Sequence, residues 1–383
     1  MTKNTDYRYA IGLMSGTSAD GMDGALIRIR GCGTETEVEL VDFLTLDYDS
    51  SFRNALLTLA KGESGGAREL SRMNFALGEK MRDACLSLIV RNGLKNGDIA
   101  FVGSHGHTFY HEPEGVMYYG SFISSTLQLG ESAVIAEALG CPVVSDFRVS
   151  DVACGGQGAP LVPYTEYILY GNRGVNYGLL NIGGIGNITS IAKNGTLSDV
   201  FAFDTGPGNM VIDALVSIFT GGRERFDRDG RTAAQGSVDE GLMAYLLDDE
   251  YLRRPLPKST GRERYGEKYV ETLLEKAGGM RSEDIVRTVT AFTAECVRIG
   301  IETFFSSTPE VILVSGGGAS NPVLMRELGE RLGTRVEKNI YSDSKEAVAF
   351  AILANERLNG RANNAPGATG ARHPVVMGKV VIC

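Results

Sequence analysis

The chain has 383 residues, of which 43% are hydrophobic and 22% charged, a composition typical of a globular protein. Its formal net charge of −9 argues against a nucleic-acid-binding surface. No apolar run is long enough for a membrane span, no export signal opens the chain, and the six cysteines form no CxxC pair, so we expect a cytoplasmic protein with reduced thiols and no membrane partner.

The first predicted element is a β-hairpin with a polar tip. Apolar runs at 9–14 and 25–29 predict its strands, and the intervening residues are rich in Ser, Gly, Thr and Asp. Residues 15–18 offer backbone N–H groups and hydroxyls with little bulk, which suits a phosphate group. Asp20 and Asp23 add the hard oxygen ligands that Mg²⁺ accepts beside phosphates. An ordinary Gly/Asp turn explains this stretch equally well, so the rest of the chain must decide.

Alternating strands and helices follow, and the pattern then begins again. In the first half we predict strands at 37–46, 99–102 and 142–144 and helices at 67–92, 131–139 and 161–170. In the second half we predict strands at 177–182, 188–191, 200–203 and 311–314 and helices at 210–219, 283–305, 322–332 and 347–357, with a polar insertion at 221–261. Two similar α/β domains, 1–173 and 174–383, account for the length.

Three glycine-rich tips follow predicted strands, at 15–24, 183–187 and 315–321. None is a GxxxxGK[ST] phosphate loop, and the tip at 183–187 precedes a strand, which argues against the dinucleotide fingerprint. Three such tips shared between duplicated halves would face one cleft. Two tips holding phosphates and a third beside a nucleoside resemble the arrangement of actin-like ATPases and sugar kinases.

Asp204 ends a predicted strand and precedes Thr-Gly-Pro-Gly. A carboxylate at such a position is well placed to act as a general base. The alternative is a turn aspartate that caps the helix at 210–219, although Asn209 lies nearer that cap.

Polar residues of the first half form two further candidate groups. Three histidines occur within residues 105–111, but their spacing matches no tetrahedral zinc motif, which favours sugar binding or loop structure. Arg148 and Asp151 follow another strand end, where the guanidinium could orient a carboxylate or phosphate. A structural ion pair between Arg148 and Asp146 or Asp151 is the alternative.

Seven stretches, in order along nearly the whole chain, resemble the anhydro-N-acetylmuramic acid kinase family. They are 12–23 (GLMSGTSADGMD), 103–113 (GSHGHTFYHEP), 146–163 (DFRVSDVACGGQGAPLVP), 181–187 (NIGGIGN), 203–209 (FDTGPGN), 258–263 (KSTGRE) and 315–321 (SGGGASN). One departure is His107, where the family usually has Gln.

The resemblance implies a two-domain actin-like, ribonuclease H-like α/β fold with a central nucleotide and substrate cleft. It implies an enzyme that uses ATP and Mg²⁺ to open 1,6-anhydro-N-acetylmuramic acid with water and phosphorylate O6, in peptidoglycan recycling and amino sugar catabolism. Asp204 would be the catalytic base and Asp20 and Asp23 the metal ligands. The expected ATP-binding residues are Gly16, Thr17, Ser18, Ala19, Asp20, Gly21, Met22, Asp23, Gly183, Gly184, Gly316, Gly317, Gly318 and Asn321. The expected sugar-side residues are Thr108, Arg148, Asp151 and Glu346, the last equally explained as an exposed residue at a helix start.

Two other functions compete with this one. An actin-like kinase could phosphorylate an ordinary hexose hydroxyl, with Asp204 deprotonating that hydroxyl directly. A non-catalytic actin-like module could use ATP only as a conformational switch, although the three tips together with Asp204 argue against it. Whether the chain forms a homodimer is left open by the sequence.

Overall fold

The computed structural model describes residues 6–17, 19–62, 65–171 and 173–383. The chain divides into two compact units. The first comprises Met1–Gly171 together with Ser344–Cys383, and the second comprises Asn172–Asp343. Of the expected ATP-binding residues, Ser18 lies outside the described part of the chain.

The strands and helices alternate in the manner of an α/β protein. The strands are β1 (Arg8–Ser15), β2 (Gly21–Arg30), β3 (Glu37–Asp47), β4 (Ile99–Tyr118), β5 (Ser121–Leu129), β6 (Val143–Ser145), β7 (Tyr177–Ile182), β8 (Ile185–Ile191), β9 (Phe201–Pro207), β10 (Val311–Ser315), β11 (Arg335–Lys338) and β12 (Lys379–Val381). The helices are α1 (Ser50–Ala60), α2 (Ala67–Arg91), α3 (Ser132–Leu139), α4 (Phe147–Ala153), α5 (Val162–Tyr170), α6 (Asn209–Phe219), α7 (Glu240–Leu247), α8 (Arg262–Tyr265), α9 (Glu267–Lys276), α10 (Ser282–Phe304), α11 (Pro322–Leu332), α12 (Lys345–Leu358) and α13 (Pro366–Thr369).

The two units repeat one sheet topology. In the first unit the strand order is β12-β6-β4-β1-β2-β3, with β5 paired to β4, and in the second it is β11-β10-β7-β8-β9. Each sheet starts with an antiparallel three-stranded meander, and the next two core strands then run parallel to its first strand. This repetition confirms the predicted fold class, an α/β protein in which a ribonuclease H-like sheet occurs twice.

Helices cover both faces of the first sheet. Strand β1 is therefore buried at six consecutive positions, unlike an edge strand such as β3, where exposed positions recur. On one face, helix α2 packs Leu77, Met81, Cys85 and Leu88 into the core cluster that contains Leu13. On the other face, helix α12 approaches so closely that a Cβ on Gly12 would lie 1.8 Å from the carbonyl oxygen of Ala347.

The division of the chain differs from the predicted one at its C-terminal end. We expected the last long helix to belong to the second half. Residues 344–383 instead form part of the first unit, because helix α12 packs on β1 and β4 and β12 pairs with β6. A Cβ on Gly103 of β4 would lie 2.1 Å from the carbonyl oxygen of Phe350, so glycines on both strands accommodate this helix.

Several elements depart from the sequence-based expectation. Strand β4 continues through the residues expected to form a loop after Val102 and pairs with β5 in a long hairpin. Strand β9 continues to Pro207, so Asp204 lies inside the strand and not at its end. Helix α6 follows Gly208 as its N-cap residue, which removes the helix-capping role considered for Asp204. Within the described residues, no helix is long and apolar enough to cross a membrane.

Candidate active site

A buried polar network at the end of β1 fixes the tip of the first hairpin. Ser15 is fully buried at the end of β1, and its hydroxyl donates to the carbonyl oxygen of Gly21 (3.2 Å). The same Oγ accepts a hydrogen bond from the Tyr48 hydroxyl (3.0 Å) and lies 3.1 Å from Nδ1 of His107. His107 therefore supports the hairpin, and a Gln amide could offer a comparable hydrogen bond. The next two residues, Gly16 and Thr17, are accessible to solvent.

The two candidate metal ligands have different surroundings. Asp20 is exposed and forms an ion pair with Arg53 (2.8 Å between Oδ1 and Nη2). Asp23, in β2, is half-buried and accepts a hydrogen bond from the Thr45 hydroxyl (2.6 Å). Of the two carboxylates, that of Asp23 fits a metal better, because the charge of Asp20 is already partly compensated. Among the described residues, no group of three or more His, Cys, Asp or Glu side chains is placed to hold a metal ion.

Arg148 is oriented by a neutral histidine. Burial, assisted by the positive charge of Arg148, lowers the pKa of His105 to about 3. The neutral imidazole lies with Nδ1 3.0 Å from the Gly106 carbonyl, which assigns the proton to Nδ1. Its Nε2 then accepts a hydrogen bond from Nε of Arg148 (2.9 Å), and Nη1 of Arg148 donates to the Gly158 carbonyl (2.6 Å).

Neither ion pair considered for Arg148 is formed. Asp146 pairs instead with Lys379 (2.9 Å), and Asp151 bonds to other groups. Burial lowers the pKa of Arg148, and the negative charge of Glu346 opposes that shift. His105 and the Gly158 carbonyl thus hold the guanidinium in place, and its positive charge interacts with the negative charge of Glu346.

Glu346 joins Asp23 and Arg148 in one charged group. It lies in the first turn of α12, where its side chain is open to solvent although protein atoms surround it on several sides. Loss of hydration, and secondly the charge of Asp23, raise the pKa of Glu346, while Arg148 and Lys345 oppose the shift. The fold therefore assembles three residues that are far apart in the sequence and all belong to the first unit.

The first unit also contains a polar cavity of about 390 Å³, and His105, the hydrogen-bond partner of Arg148, belongs to its lining. Its polar lining includes Asn74, Ser104, His105, Gln128, Glu131 and Asp146. Thr108 is half-buried on β4 and pairs in register with Gln128 of β5. The Gln128 side chain is 9% exposed, and its Oε1 has no hydrogen-bond partner in the described structure. Such a buried acceptor is costly unless a ligand donates to it.

Hydrogen bonds within the protein hold the Asp151 side chain. It is fully buried, and its Oδ2 accepts from the backbone N–H of Gly158 (2.8 Å). Its Oδ1 accepts from Nδ2 of Asn364 and from the Thr369 hydroxyl (both 2.8 Å). Asp151 therefore connects the C-terminal segment to the loop whose Gly158 carbonyl accepts from Arg148. We assign Asp151 a supporting role in place of direct substrate contact.

We expect Asp151→Asn to lower the free energy of unfolding by about 3 kcal/mol, because an amide nitrogen would face hydrogen-bond donors in a fully buried site. Urea unfolding of the variant and of the parent protein measures this change. The control is Asp83→Asn on the exposed face of α2, which we expect to stay within about 0.5 kcal/mol. An unchanged unfolding midpoint for Asp151→Asn, together with weaker substrate binding, would contradict the supporting role.

In the second unit, the Asp204 carboxylate is held by two donors. Its Oδ1 accepts from Nδ2 of Asn187 on the neighbouring strand β8 (3.0 Å). Its Oδ2 accepts from the backbone N–H of Thr260 (2.9 Å). A carboxylate has about four acceptor positions, so the half-buried side chain keeps capacity for a further donor such as water. The role of Asp204 as a general base stays a prediction, and this geometry is compatible with it.

A buried lysine lies close to this aspartate. Lys258 is 5% exposed, and its Nζ lies over the rings of Tyr251 (4.7 Å) and Phe304 (5.2 Å). Burial lowers the pKa of Lys258, and Asp204 is among the negative charges that oppose this shift. The Tyr251 hydroxyl donates to the backbone carbonyl of Asp204 (2.8 Å). These contacts fix the strand and add positive charge near the carboxylate.

The other two glycine-rich tips also lie in the second unit. At the first, the Gly183 carbonyl accepts from the N–H of Asn209 (2.8 Å), and the Gly184 carbonyl accepts from that of Gly208 (2.9 Å), so the tip is bonded to the start of α6. At the second, Gly316 has a φ of 79°, which allows the chain to turn between β10 and α11. Asn321 caps α11.

A second cavity, also of about 390 Å³, adjoins the last tip. It is bordered by Asn209, Asp213, residues 225–227, Asp229, Gly317, Ser320 and Asn321, among others. Gly316 and Gly318 lie beside Gly317 in the same turn. The structure thus places the third tip at a recess of suitable size for part of a small molecule.

Several residues around these sites were not anticipated from the sequence. Asn187 and Thr260 hold Asp204, and Gln128 lines the cavity of the first unit. The first two belong to stretches that resemble the family, NIGGIGN and KSTGRE, and that membership was the available signal. Gln128 lies in a strand that the sequence did not predict, so nothing in the pattern indicated it.

Comparison with solved structures gives full-length but weak likenesses. The activator of 2-hydroxyisocaproyl-CoA dehydratase from Clostridium difficile with bound ADPNP has a TM-score of 0.40 and 14% identity, covering 92% of this chain and 96% of that one. The ROK hexokinase from Thermus thermophilus has a TM-score of 0.35 and 12% identity, covering 92% and 99%. At these TM-scores neither likeness supports an argument about this chain.

Sequence comparison is far more specific. The anhydro-N-acetylmuramic acid kinase family model matches residues 8–382. A relative of that name from Caldanaerobacter subterraneus subsp. tengcongensis is 48% identical, with 98% of each chain covered. Another from Francisella tularensis subsp. novicida is 42% identical, with 98% of this chain and 99% of that one covered. The chain belongs to the anhydro-N-acetylmuramic acid kinase family.

Proposed function

We propose that this protein transfers the γ-phosphoryl group of ATP to O6 of 1,6-anhydro-N-acetylmuramic acid while water opens the 1,6-anhydro bond. The products are N-acetylmuramic acid 6-phosphate and ADP. The observation that carries the proposal is the Asp204 carboxylate, fixed by Asn187 and Thr260 within stretches that match the family. We place the reaction in the cytoplasm and in peptidoglycan recycling.

The substrate's chemistry defines what the base must do. An anhydro sugar has no free hydroxyl at C6, so O6 must be released from C1 before or while it attacks phosphorus. Asp204 accepts a proton from water, the water oxygen bonds to C1, and the C1–O6 bond breaks with its electron pair going to O6. O6 then bonds to the γ-phosphorus, the bond to ADP breaks, and the proton on Asp204 passes to solvent. General-base assistance of this kind contributes about 10²–10⁴-fold in rate.

The sugar is held by polar groups of the first unit. Arg148 is oriented by His105, and this arrangement suits a carboxylate, which the lactyl group of the muramic acid provides. Gln128 offers an unpartnered buried acceptor to a hydroxyl or amide N–H. We also assign Thr108 and Glu346 to this side.

The phosphates are held mainly by backbone groups of the glycine-rich tips. Gly16, Thr17 and the residues that follow them in the first hairpin, with Gly183 and Gly184, take this role in the proposal, since their lack of bulk allows close approach. Asp23 fits Mg²⁺ as a single hard oxygen ligand, and phosphate oxygens and water would complete the shell. The metal would neutralise negative charge on the phosphates.

Product analysis tests the function. The purified protein is incubated with ATP, Mg²⁺ and the anhydro sugar, and in parallel with N-acetylmuramic acid or glucose as acceptor. We expect ADP release and a product heavier than the anhydro sugar by one phosphate and one water only with the first acceptor. Faster turnover of an ordinary hexose would favour the rival kinase function, and ATP binding without any transfer would favour the switch.

A further inference from the structure

Lys258 is a buried lysine enclosed by aromatic rings. It is 5% exposed, and its Nζ lies over the rings of Tyr251 (4.7 Å), Phe304 (5.2 Å) and Phe203 (5.5 Å). It donates to the backbone carbonyls of Tyr251 (3.5 Å) and Leu252 (3.3 Å), and it forms no ion pair with any described residue. Because ring faces attract cations, this aromatic cage favours the charged form of the lysine.

An ammonium group in such a place is unfavourable for folding. Removing a cation from water costs free energy, and the ring faces and two long carbonyl contacts recover only part of it. A methionine side chain has a similar length, packs well against aromatic rings and carries no charge. A lysine that is kept at a cost in stability points to a use for its charge in the reaction.

The backbone connects Lys258 to Asp204. The N–H of Asp204 donates to the carbonyl of Lys258 (3.4 Å), and the N–H of Thr260 donates to Oδ2 of Asp204 (2.9 Å). The Tyr251 hydroxyl donates to the backbone carbonyl of Asp204 (2.8 Å), while its ring faces the ammonium. The segment that bonds the carboxylate therefore also fixes the position of the positive charge.

Two other acidic groups near Lys258 are already neutral or neutralised. Asp249 forms an ion pair with Arg264 and accepts a hydrogen bond from the Tyr265 hydroxyl (2.7 Å). Burial raises the pKa of the Cys296 thiol well above its usual range, so this group stays protonated. Neither group leaves a free negative charge for the lysine to compensate.

The remaining charged and titratable neighbours do not compete with Asp204 either. Burial raises the pKa of Tyr251, which stays protonated. Arg254 is exposed, so water and salt screen its charge. Glu295 is paired with Arg331 (3.0 Å). Asp204 accepts hydrogen bonds from two uncharged donors, and it is thus the carboxylate on which the charge of the lysine acts.

We propose that Lys258 keeps the Asp204 carboxylate ionised and so sets the lower pH limit of the reaction. The inference rests on the proposed role of Asp204 as the base, which must be unprotonated to accept a proton from water. Lys258 acts through Asp204 and is therefore a positioning residue. Its positive charge stabilises the carboxylate relative to the carboxylic acid, so activity persists to a lower pH than it would without that charge.

The test compares Lys258→Met with the parent protein by measuring kcat between about pH 4 and about pH 8, the range in which carboxylates and histidines titrate. We expect the acid limb of the profile to move up by at least ~0.5 pH unit, because Asp204 becomes protonated at a higher pH once the positive charge is gone. On the plateau, where Asp204 is ionised in both proteins, kcat should stay within about threefold. Lys258→Arg keeps a positive charge and should keep the parent profile.

Urea unfolding of the same proteins separates this role from a structural one. Lys258→Met should unfold at the same or a higher urea concentration, because it removes a buried charge and fills the aromatic cage. The matched control is Lys276→Met. Lys276 is exposed on α9 of the same unit, and its Nζ also lies over a tyrosine ring, that of Tyr245 (5.7 Å). This variant should keep the parent pH profile.

An acid limb that does not move in Lys258→Met would overturn the inference, and so would an equal movement in Lys276→Met. A loss of stability without any movement of the limb would leave Lys258 a structural role alone. If Lys258→Met did not fold, Lys258→Gln, which also lacks the charge, would be judged by the same shift. Absence of transfer from ATP by the parent protein at every pH would instead refute the proposed function, and the inference with it.

Discussion

Asp204→Asn should lower kcat at least ~10²-fold while leaving the KM values for ATP and sugar within a few-fold of the parent protein. The substitution keeps the size and shape of the side chain, so Asn187 and Thr260 retain a neighbour of the same volume. What is lost is the ability to accept a proton from the attacking water. Steady-state rates of ADP release at saturating concentrations of both substrates measure the effect.

Two further variants separate chemistry from folding in this experiment. Asp204→Glu retains a carboxylate but moves it by one methylene, and we expect activity between that of the parent and that of Asp204→Asn. Asp248→Asn changes an exposed carboxylate of the same unit and should leave kcat unchanged. Turnover of Asp204→Asn within a few-fold of the parent would remove Asp204 from the role of base, provided that its unfolding midpoint is unaltered.

Gly12→Ala should lower the free energy of unfolding by about 3 kcal/mol or more, or prevent folding altogether. Its added methyl carbon would lie 1.8 Å from the carbonyl oxygen of Ala347, a backbone atom that cannot move alone. Helix α12 would have to shift away from β1, and with it Glu346, which shares the charged group of Asp23 and Arg148. Urea unfolding followed by circular dichroism measures the loss.

Gly97→Ala is the matched control for this variant. Nothing lies within 4 Å of a Cβ at Gly97, so we expect a change of no more than about 0.5 kcal/mol. If Gly12→Ala were as stable as Gly97→Ala, the close packing of α12 against β1 described above would be wrong.

Elements with strong local patterns were predicted nearly to the residue. The strand at 177–182 and the helix at 322–332 have the predicted bounds, and the helix predicted at 131–139 ends at Leu139, before Gly140 in a left-handed conformation. In each case an apolar period or a Pro or Gly at the boundary defines the element locally. The repeat of strand, tip and strand in both halves was sufficient to predict the duplicated fold.

Elements that depend on distant pairing were missed. Residues 103–118 have few apolar side chains at their start and were expected to leave the strand, yet they remain in β4 because β1, β5 and β6 pair with it. The backbone angles identify the turn between β4 and β5. Tyr119 and Gly120 both have positive φ, the conformation of a tight hairpin turn, although Tyr is an unusual residue for it.

In the candidate site, too, local patterns indicated some residues and missed those that depend on distant contacts. Asp204 and the glycine-rich tips were singled out because each lies at or after the end of a predicted strand within a distinctive stretch. The donors that hold Asp204 come from another strand and from a loop 56 residues away, which no local pattern reveals. Asp151 was expected near the substrate, and the structure instead buries it against Asn364 and Thr369 of the C-terminal segment.

Isotopic labelling tests the central claim, that water opens the anhydro ring in the same reaction that phosphorylates O6. The protein is incubated with ATP, Mg²⁺ and the anhydro sugar in ¹⁸O-water, and the product is analysed by mass spectrometry with fragmentation. Because C1 of a free sugar exchanges its oxygen slowly with water, the product is sampled early and compared with pre-formed product in the same water. We predict one ¹⁸O atom at C1 from the first turnovers and none in the phosphate. Product that carries no label at C1 beyond the exchange control would contradict the hydrolytic mechanism and the role of Asp204 in it.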